Sequence, residues 1–286
     1  MKLLNRCAII TGGNQGLGLS IAEHFIKEGA NIILCARNKA KLDEAELHLK
    51  SLLIRPSQLV CIQADISKHE DNEKLVKAAI SNYGTVDILV ANAGVYGPKG
   101  TIESVDWQEW SDAIDINLKG TVLSCRSVIA IMKQHKKGKI LILSGGGATK
   151  PMPFLSAYAV SKAAVVRFSE TLAEELRDFN IDINAIAPGA LNTRLLDEVL
   201  ESGPEKVGQA FYEQSLKQKE TGGVPLQTGA ELCIYLASEE SNGLTGKLIS
   251  AVWDPWRDFK KYADELNTTD IYTLRRIVPE DRGQNW

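Results

Sequence analysis

Tyr158 and Lys162 stand at positions i and i+4 of a segment whose residue pattern predicts a helix. Side chains at this spacing lie on the same helix face. An ammonium group beside a phenol stabilises the phenolate and lowers the pKa of the phenol, so the tyrosine can act as a general acid or base. The pair predicts a proton-transfer site, although a tyrosine and a lysine at this spacing are common by chance.

A glycine-rich turn near the amino terminus predicts a different chemistry. Gly12, Gly16 and Gly18 lie between a predicted strand and a predicted helix. Glycines in such a turn let the backbone approach a pyrophosphate, and the first N–H groups of the helix bind the anion. The spacing differs from the common GxGxxG pattern, so a turn without a ligand is the alternative. The residues that we expect to contact a dinucleotide here are Thr11, Gly12, Asn14, Gln15, Gly16, Leu17 and Gly18.

The end of the second predicted strand indicates which dinucleotide binds. A site for NAD carries an acidic residue here, which holds the ribose hydroxyls, yet no acid occurs between Glu28 and Asp43. Arg37 follows the strand instead, and a guanidinium can bind a 2′-phosphate through two parallel hydrogen bonds. We therefore predict that NADP(H) is favoured over NAD(H). The alternative is that Arg37 is a solvated residue at a helix start.

Short apolar runs alternate with helical patterns along most of the chain. The predicted strands span residues 6–11, 31–35, 59–63, 86–91, 139–143 and 181–187, with a shorter candidate at 248–252. The predicted helices span residues 16–28, 38–51, 69–83, 106–134 and 156–179. Strands that are apolar throughout belong in a parallel sheet covered on both faces. We predict a single α/β domain, doubly wound and of the Rossmann type, with about seven parallel strands.

The composition excludes several classes of protein. The 286 residues include 33 basic and 36 acidic side chains, for a net charge of −3, so no basic excess exists to bind a nucleic acid or an anionic membrane. The five cysteines and four histidines show no metal-ligand spacing, so we predict no metal and reduced thiols. We see no signal peptide pattern and no apolar stretch of about 18 residues that could span a membrane. We expect a cytoplasmic protein.

With these features taken together, the chain resembles the short-chain dehydrogenase/reductase family in its compact branch. The resemblance extends from residue 4 to residue 252. Each motif alone has little specificity, but the whole set in this order is specific for the family. The motifs are the segment 11–18, Asp65, Asn92-Ala93-Gly94, Asn117, Tyr158-x3-Lys162 and Pro188-Gly189-x3-Thr193. The resemblance implies hydride transfer between a nicotinamide cofactor and a carbonyl or alcohol substrate, with Tyr158 as the proton donor.

The resemblance also implies a role for each matched residue. Asp65 and Ile66 would contact the adenine. Asn117 would hold a backbone kink and a water of the proton relay, and Lys162 would bind the nicotinamide ribose. The other implied cofactor contacts are Asn92, Ala93, Gly94, Tyr158, Pro188, Gly189 and Thr193. The substrate would meet Val95, Tyr96, residues 151–154 and a mobile lid at about 190–225, and helices 106–134 and 156–179 would pair copies into a homodimer or homotetramer.

One position departs from the family. The serine that usually hydrogen-bonds the substrate oxygen stands 13 residues before the tyrosine, where this chain has Gly145. Loss of such a donor costs on the order of 10²–10³ in rate. The loop can shift so that Ser144 serves, Thr149 or a substrate group can replace the serine, or the chemistry can be lost. We favour a working enzyme that uses Asn117, Tyr158 and Lys162, with Ser144 as a fourth catalytic candidate.

The leading expectation is an NADP(H)-dependent reductase of a ketone or aldehyde. The rivals are an NAD(H)-dependent alcohol or keto-sugar dehydrogenase and a non-catalytic sensor or scaffold that binds the cofactor. We assign residues 1–252 to the domain and residues 253–286 to a carboxy-terminal extension. Its aromatic residues suggest packing on the body over the substrate mouth or on a neighbouring subunit, and a frayed tail is the alternative.

Overall fold

Seven parallel strands form the centre of the molecule in the computed structural model, which describes residues 1–55 and 58–286. The strands are β1 (Cys7–Thr11), β2 (Asn31–Ala36), β3 (Leu59–Gln63), β4 (Ile88–Ala91), β5 (Gly138–Leu143), β6 (Ile181–Ala187) and β7 (Lys247–Ser250). Their spatial order is β3-β2-β1-β4-β5-β6-β7, so the connections diverge between β1 and β4. A crevice forms at such a switch point, outside the carboxyl ends of the strands. The predicted doubly wound α/β fold is confirmed.

Helices cover both faces of the sheet. The helices are α1 (Gly16–Lys27), α2 (Lys39–Lys50), α3 (His69–Tyr83), α4 (Trp107–Ile114), α5 (Thr121–His135), α6 (Ser156–Leu176), α7 (Arg194–Ser202), α8 (Pro204–Val207), α9 (Gln209–Thr221), α10 (Leu226–Ala237) and α11 (Ala263–Thr268). One buried cluster joins α1 and α10 to the sheet, and a second joins α3, α5 and α6 to the opposite face. Within the described ranges, no helix is both long and apolar enough to cross a membrane.

The predicted helix at 106–134 is divided in the structure. A π-helical segment, Asp115–Gly120, separates α4 from α5. An extra residue in a helical turn re-aims the side chains around it, and such segments are frequent at functional sites. Asn117 lies in this segment, so the backbone irregularity expected around it is present.

No helix is predicted from the sequence at α10, because two of its features weaken the pattern that is typical of a helix. Its residues are mostly buried, so it lacks the polar face that gives a helical period. Gly229 also lowers the helix propensity. A β-carbon at Gly229 would lie 3.0 Å from Cδ1 of Leu17, so the glycine allows α1 and α10 to pack closely.

The segment after β7 packs on the body of the domain. Trp256 and Phe259 are 4% and 3% exposed, and the indole N–H of Trp256 donates to the carbonyl oxygen of Ala251 at 3.1 Å. The backbone N–H of Leu248 in β7 donates to the carbonyl oxygen of Tyr272 at 2.8 Å. Since β7 is an edge strand, the segment covers part of an edge that would otherwise be open.

Candidate active site

A cavity of about 1670 Å³ lies along the carboxyl ends of the strands, beside the switch point. It exceeds the roughly 300–1,000 Å³ of a typical small-molecule pocket, so a dinucleotide and a substrate can share it. The predicted site residues that line it are Gly12, Asn14, Gln15, Gly16, Leu17, Gly18, Arg37, Asp65, Ile66, Asn92, Ala93, Gly94, Ser144, Tyr158, Lys162, Pro188, Gly189 and Thr193. The fold therefore brings together residues that are far apart in the sequence.

The glycine-rich turn is held by the residues that follow β4. The side-chain amide of Asn92 donates to the carbonyl oxygens of Thr11 and Gly12 at 2.9 and 3.0 Å. A β-carbon at Gly18 would lie 2.4 Å from both that amide nitrogen and the Gly12 oxygen. Gln15, the residue before α1, makes no side-chain cap bond, which leaves the first N–H groups of α1 free for an anion.

Thr11 is not among the residues that line the cavity, and its contact with a cofactor stays a prediction. Its side chain is fully buried, at the end of β1 beside the residues that follow β4. The hydroxyl oxygen accepts hydrogen bonds from the backbone N–H groups of Asn92 and Ala93 at 3.0 and 3.1 Å. Thr11 therefore supports the glycine-rich turn from behind.

Basic side chains surround the end of β2. Arg37 and Lys41 are exposed and line the cavity. Within residues 1–55 and 58–286, no ion pair includes Arg37, whereas Lys39 is paired with Asp43. An unpaired guanidinium at a cavity edge is available to an anionic ligand.

Asp65 lines the same end of the cavity. Its Oδ1 accepts hydrogen bonds from the backbone N–H and the hydroxyl of Ser67 at 3.0 and 2.7 Å. These bonds fix the orientation of the carboxylate. Its contact with an adenine stays a prediction.

Tyr158 and Lys162 face the cavity from the first turns of α6. The ammonium nitrogen of Lys162 lies 5.5 Å from the centroid of the Tyr158 ring and donates to the carbonyl oxygen of Leu143 at 2.7 Å. Lys162 is 6% exposed, and this burial lowers its pKa to about 8. At neutral pH it remains mostly charged.

The expected fall in the pKa of Tyr158 is not found in the structure. Burial raises this pKa, and the neighbouring Tyr96 raises it further. Removal of the phenol from water disfavours the phenolate. Tyr158 therefore keeps its proton at neutral pH.

Asn117 lies behind the cavity wall, where it is 1% exposed. Its Oδ1 accepts a hydrogen bond from the backbone N–H of Val95, and its Nδ2 donates to the Val95 carbonyl oxygen, both at 2.8 Å. Nδ2 also donates to the hydroxyl of Ser161 at 3.0 Å. Asn117 thus joins the π-helical segment to α6 and to the loop after β4. Ser161 is not among the predicted site residues, although it directly precedes Lys162.

Ser144 is a poor replacement for the missing serine in this structure. Its hydroxyl donates to the carbonyl oxygen of Lys162 at 3.1 Å, which uses its single proton. Gly145 faces the tyrosine instead, because a β-carbon there would lie 2.6 Å from the Tyr158 hydroxyl oxygen. The position at which the resemblance expects a serine thus lies beside the Tyr158 hydroxyl, and it holds no side chain.

The segment expected to form a lid contains α7, α8 and α9. Its amino-terminal end touches the glycine-rich turn, since a β-carbon at Gly16 would lie 3.3 Å from the Thr193 methyl group. Glu198 in α7 forms an ion pair with Lys99 at 3.7 Å. The lid and the loop after β4 are thereby connected across the cavity. The motion of this segment stays a prediction.

The carboxy-terminal extension contributes four residues to the cavity wall. These residues are Trp253, Asp254, Tyr272 and Thr273. The aromatic content of the extension indicates that it packs on the body, but no sequence pattern identifies which of its residues reach the cavity. In the described part of the chain, no group of histidine, cysteine, aspartate and glutamate side chains could hold a metal ion.

Comparison with known proteins identifies one protein family. The sequence pattern of the family described as short chain dehydrogenase matches residues 6–203. The chain is 32% identical over 247 residues to dehydrogenase/reductase SDR family member 4 of Sus scrofa, and the match covers 86% of each chain. It is 32% identical over 252 residues to the diacetyl reductase, (S)-acetoin forming, of Staphylococcus epidermidis, covering 86% of this chain and 96% of that protein.

A solved structure extends the comparison to the fold. The crystal structure of an actinorhodin polyketide ketoreductase variant with NADPH superposes with a TM-score of 0.78 at 26% identity. The superposition covers 86% of this chain and 95% of that chain. The similarity thus includes nearly the whole of the compared enzyme.

Proposed function

Because the chain belongs to the short-chain dehydrogenase family, an NAD(P)-dependent oxidoreductase family, we propose that it reduces a ketone or aldehyde with NADPH. The observation that carries this proposal is that the residues predicted for cofactor binding and for proton transfer line the same cavity. Tyr158 and Lys162 line it together with the glycine-rich turn and Arg37.

The residues present fit a phosphorylated dinucleotide. Backbone N–H groups at the start of α1 would hold the pyrophosphate. Arg37, with Lys41 beside it, would bind the 2′-phosphate. When bound, the reduced nicotinamide supplies a hydride. Lys162 would bind the nicotinamide ribose; it borders Gly94, another predicted cofactor contact, where a β-carbon would lie 3.5 Å from its Nζ.

The side chains of this protein supply the proton. Tyr158 is neutral because burial raises its pKa, so it can donate its proton to a carbonyl oxygen as negative charge develops there. The phenolate that remains is stabilised by the Lys162 ammonium. Asn117 holds the loop that borders this site through its two bonds to Val95.

The substrate is a carbonyl compound that meets a mixed wall. Near the lid and the extension, the cavity is lined by apolar side chains that include Leu195, Phe211 and Trp253, and by polar ones that include Asn192, Gln214 and Asp254. Apolar groups bury a ligand, and polar groups among them set its orientation. The relative from Staphylococcus epidermidis is named for diacetyl, which makes a small diketone a suitable first probe.

The test is a screen of ketones, diketones and aldehydes, diacetyl included, with NADPH and with NADH. We expect NADPH oxidation that Tyr158→Phe abolishes, and a Kd for NADPH at least about tenfold below that for NADH, or about 1.4 kcal/mol. A preference for NADH would contradict the cofactor assignment. Failure of every carbonyl compound to be reduced would contradict the function itself.

A further inference from the structure

The missing serine leaves the substrate oxygen with one identified hydrogen-bond donor, Tyr158. Carbonyl reduction builds negative charge on that oxygen, and a second donor aimed at it lowers the barrier substantially. Ser144 is bonded to the Lys162 carbonyl oxygen, and Gly145 has no side chain. A second donor can come from another side chain of the cavity wall, which includes both Thr149 and Tyr96.

Tyr96, in the loop after β4, lies directly against Tyr158. The two ring centroids are 4.6 Å apart with an angle of 65° between the planes, an edge-to-face contact. Both residues line the cavity. We propose that the Tyr96 hydroxyl is the second donor to the substrate carbonyl oxygen and replaces the serine that Gly145 lacks.

Several contacts fix the position of Tyr96. Asn117 binds both backbone polar groups of the preceding residue, Val95, at 2.8 Å. On the other side, the Lys99 ammonium lies 5.9 Å from the Tyr96 ring centroid and forms an ion pair with Glu198 at 3.7 Å. A donor held in place before the reaction needs no reorganisation as the charge develops.

The protonation state of Tyr96 suits a donor. Burial, with a smaller contribution from the Glu198 carboxylate, raises the pKa of Tyr96 to about 12. Its hydroxyl therefore keeps its proton at physiological pH.

The two tyrosines have different roles in the reaction. The carbonyl carbon receives the hydride of the reduced cofactor, and the π electron pair of the C=O bond moves to oxygen. The O–H bond of Tyr158 breaks, and its proton completes the alcohol. Tyr96 keeps its proton and donates a hydrogen bond throughout, so the product is the alcohol and the oxidised cofactor.

The test is Tyr96→Phe, which keeps the ring that packs on Tyr158 and removes only the hydroxyl. We expect kcat for the best carbonyl substrate to fall about 10²-fold, as for loss of one oxyanion donor, and KM and the Kd for NADPH to stay within about twofold. The primary isotope effect with deuterated NADPH should rise, because hydride transfer becomes slower. The control is Tyr235→Phe, a tyrosine that packs on Trp256 outside the cavity lining, and its kinetics should match the wild type.

This inference rests on the proposed function, and the two fail differently. An active wild type whose kcat and isotope effect are unchanged by Tyr96→Phe overturns the donor role alone. A similar loss in Tyr235→Phe also overturns it, since a lost buried hydroxyl would then suffice. A wild type that reduces no carbonyl compound overturns the proposed function and the donor role together.

Discussion

The hydroxyl oxygen of Tyr158 occupies the space beside Gly145, at 2.6 Å from the place of a β-carbon on that glycine. A real β-carbon does not approach another atom so closely, so any side chain at position 145 must displace the tyrosine. Tyr158 is also packed against Tyr96, which limits where it can move. The absent serine and the position of the proton donor are thus linked.

Gly145→Ser is therefore expected to lower activity. A displacement of about 1 Å at a reacting group can cost on the order of 10² in rate, so we expect kcat to fall at least about tenfold. The matched control is Gly146→Ser, where a β-carbon meets nothing within 4 Å. Steady-state kinetics of both variants measure the change in kcat. A gain in kcat for Gly145→Ser would show that the tyrosine moves freely and that the site lacks only a donor.

Arg37→Ala tests the basis of the cofactor assignment. Removal of the guanidinium takes away two charge-assisted hydrogen bonds to a 2′-phosphate and none to NADH. We expect the Kd for NADPH to rise at least about tenfold while the Kd for NADH stays within about twofold. Lys39→Ala is the control, because Lys39 is paired with Asp43 and does not line the cavity. Equal weakening of both cofactors would assign Arg37 to the fold or to a shared phosphate.

Local spacing made much of this site predictable. The positions of Tyr158 and Lys162 depend on one helix, and Gly12, Gly16 and Gly18 depend on one turn, so the chemistry of each follows from adjacent residues. The parallel sheet follows from the apolar strands. These predictions needed no contact between distant segments.

The remaining features depend on tertiary contacts that have no local signal. The Thr11 hydroxyl supports the residues after β4 because β4 lies beside β1. Ser144 is directed to α6 by its bond to Lys162. The π-helical segment at Asn117 follows from its bonds to Val95 and Ser161. Pairings of this kind are set by packing, which overrides local propensity.

The buried Lys162 makes the unfolding free energy depend on pH. Burial lowers its pKa from 10.5 to about 8, so the unfolded chain binds more protons than the folded chain between these pH values. The contribution of Lys162 to the unfolding free energy therefore rises with pH in this window. Cys35, Cys61 and Cys125 act in the opposite direction, because burial raises the pKa of each thiol to about 12.

A comparison with Lys162→Met isolates the lysine, since the thiols are the same in both proteins. Between about pH 7 and about pH 9.5, the unfolding free energy of the wild type should rise by about 2 kcal/mol relative to the variant. Urea unfolding at several pH values measures the difference. A difference that does not change with pH would mean that Lys162 titrates near its ordinary pKa in the folded protein.

The carboxy-terminal extension should contribute to stability as well as to the cavity. Phe259 is 3% exposed and its ring lies 5.4 Å from that of Tyr272, whose backbone oxygen is bonded to β7. Phe259→Ala removes this packing and should lower the unfolding free energy by about 3 kcal/mol, with a higher KM because Tyr272 lines the cavity. Tyr262→Ala is the control, since Tyr262 is 50% exposed and should change stability by less than about 0.5 kcal/mol. Wild-type stability and KM in Phe259→Ala would mean that the extension is frayed in solution.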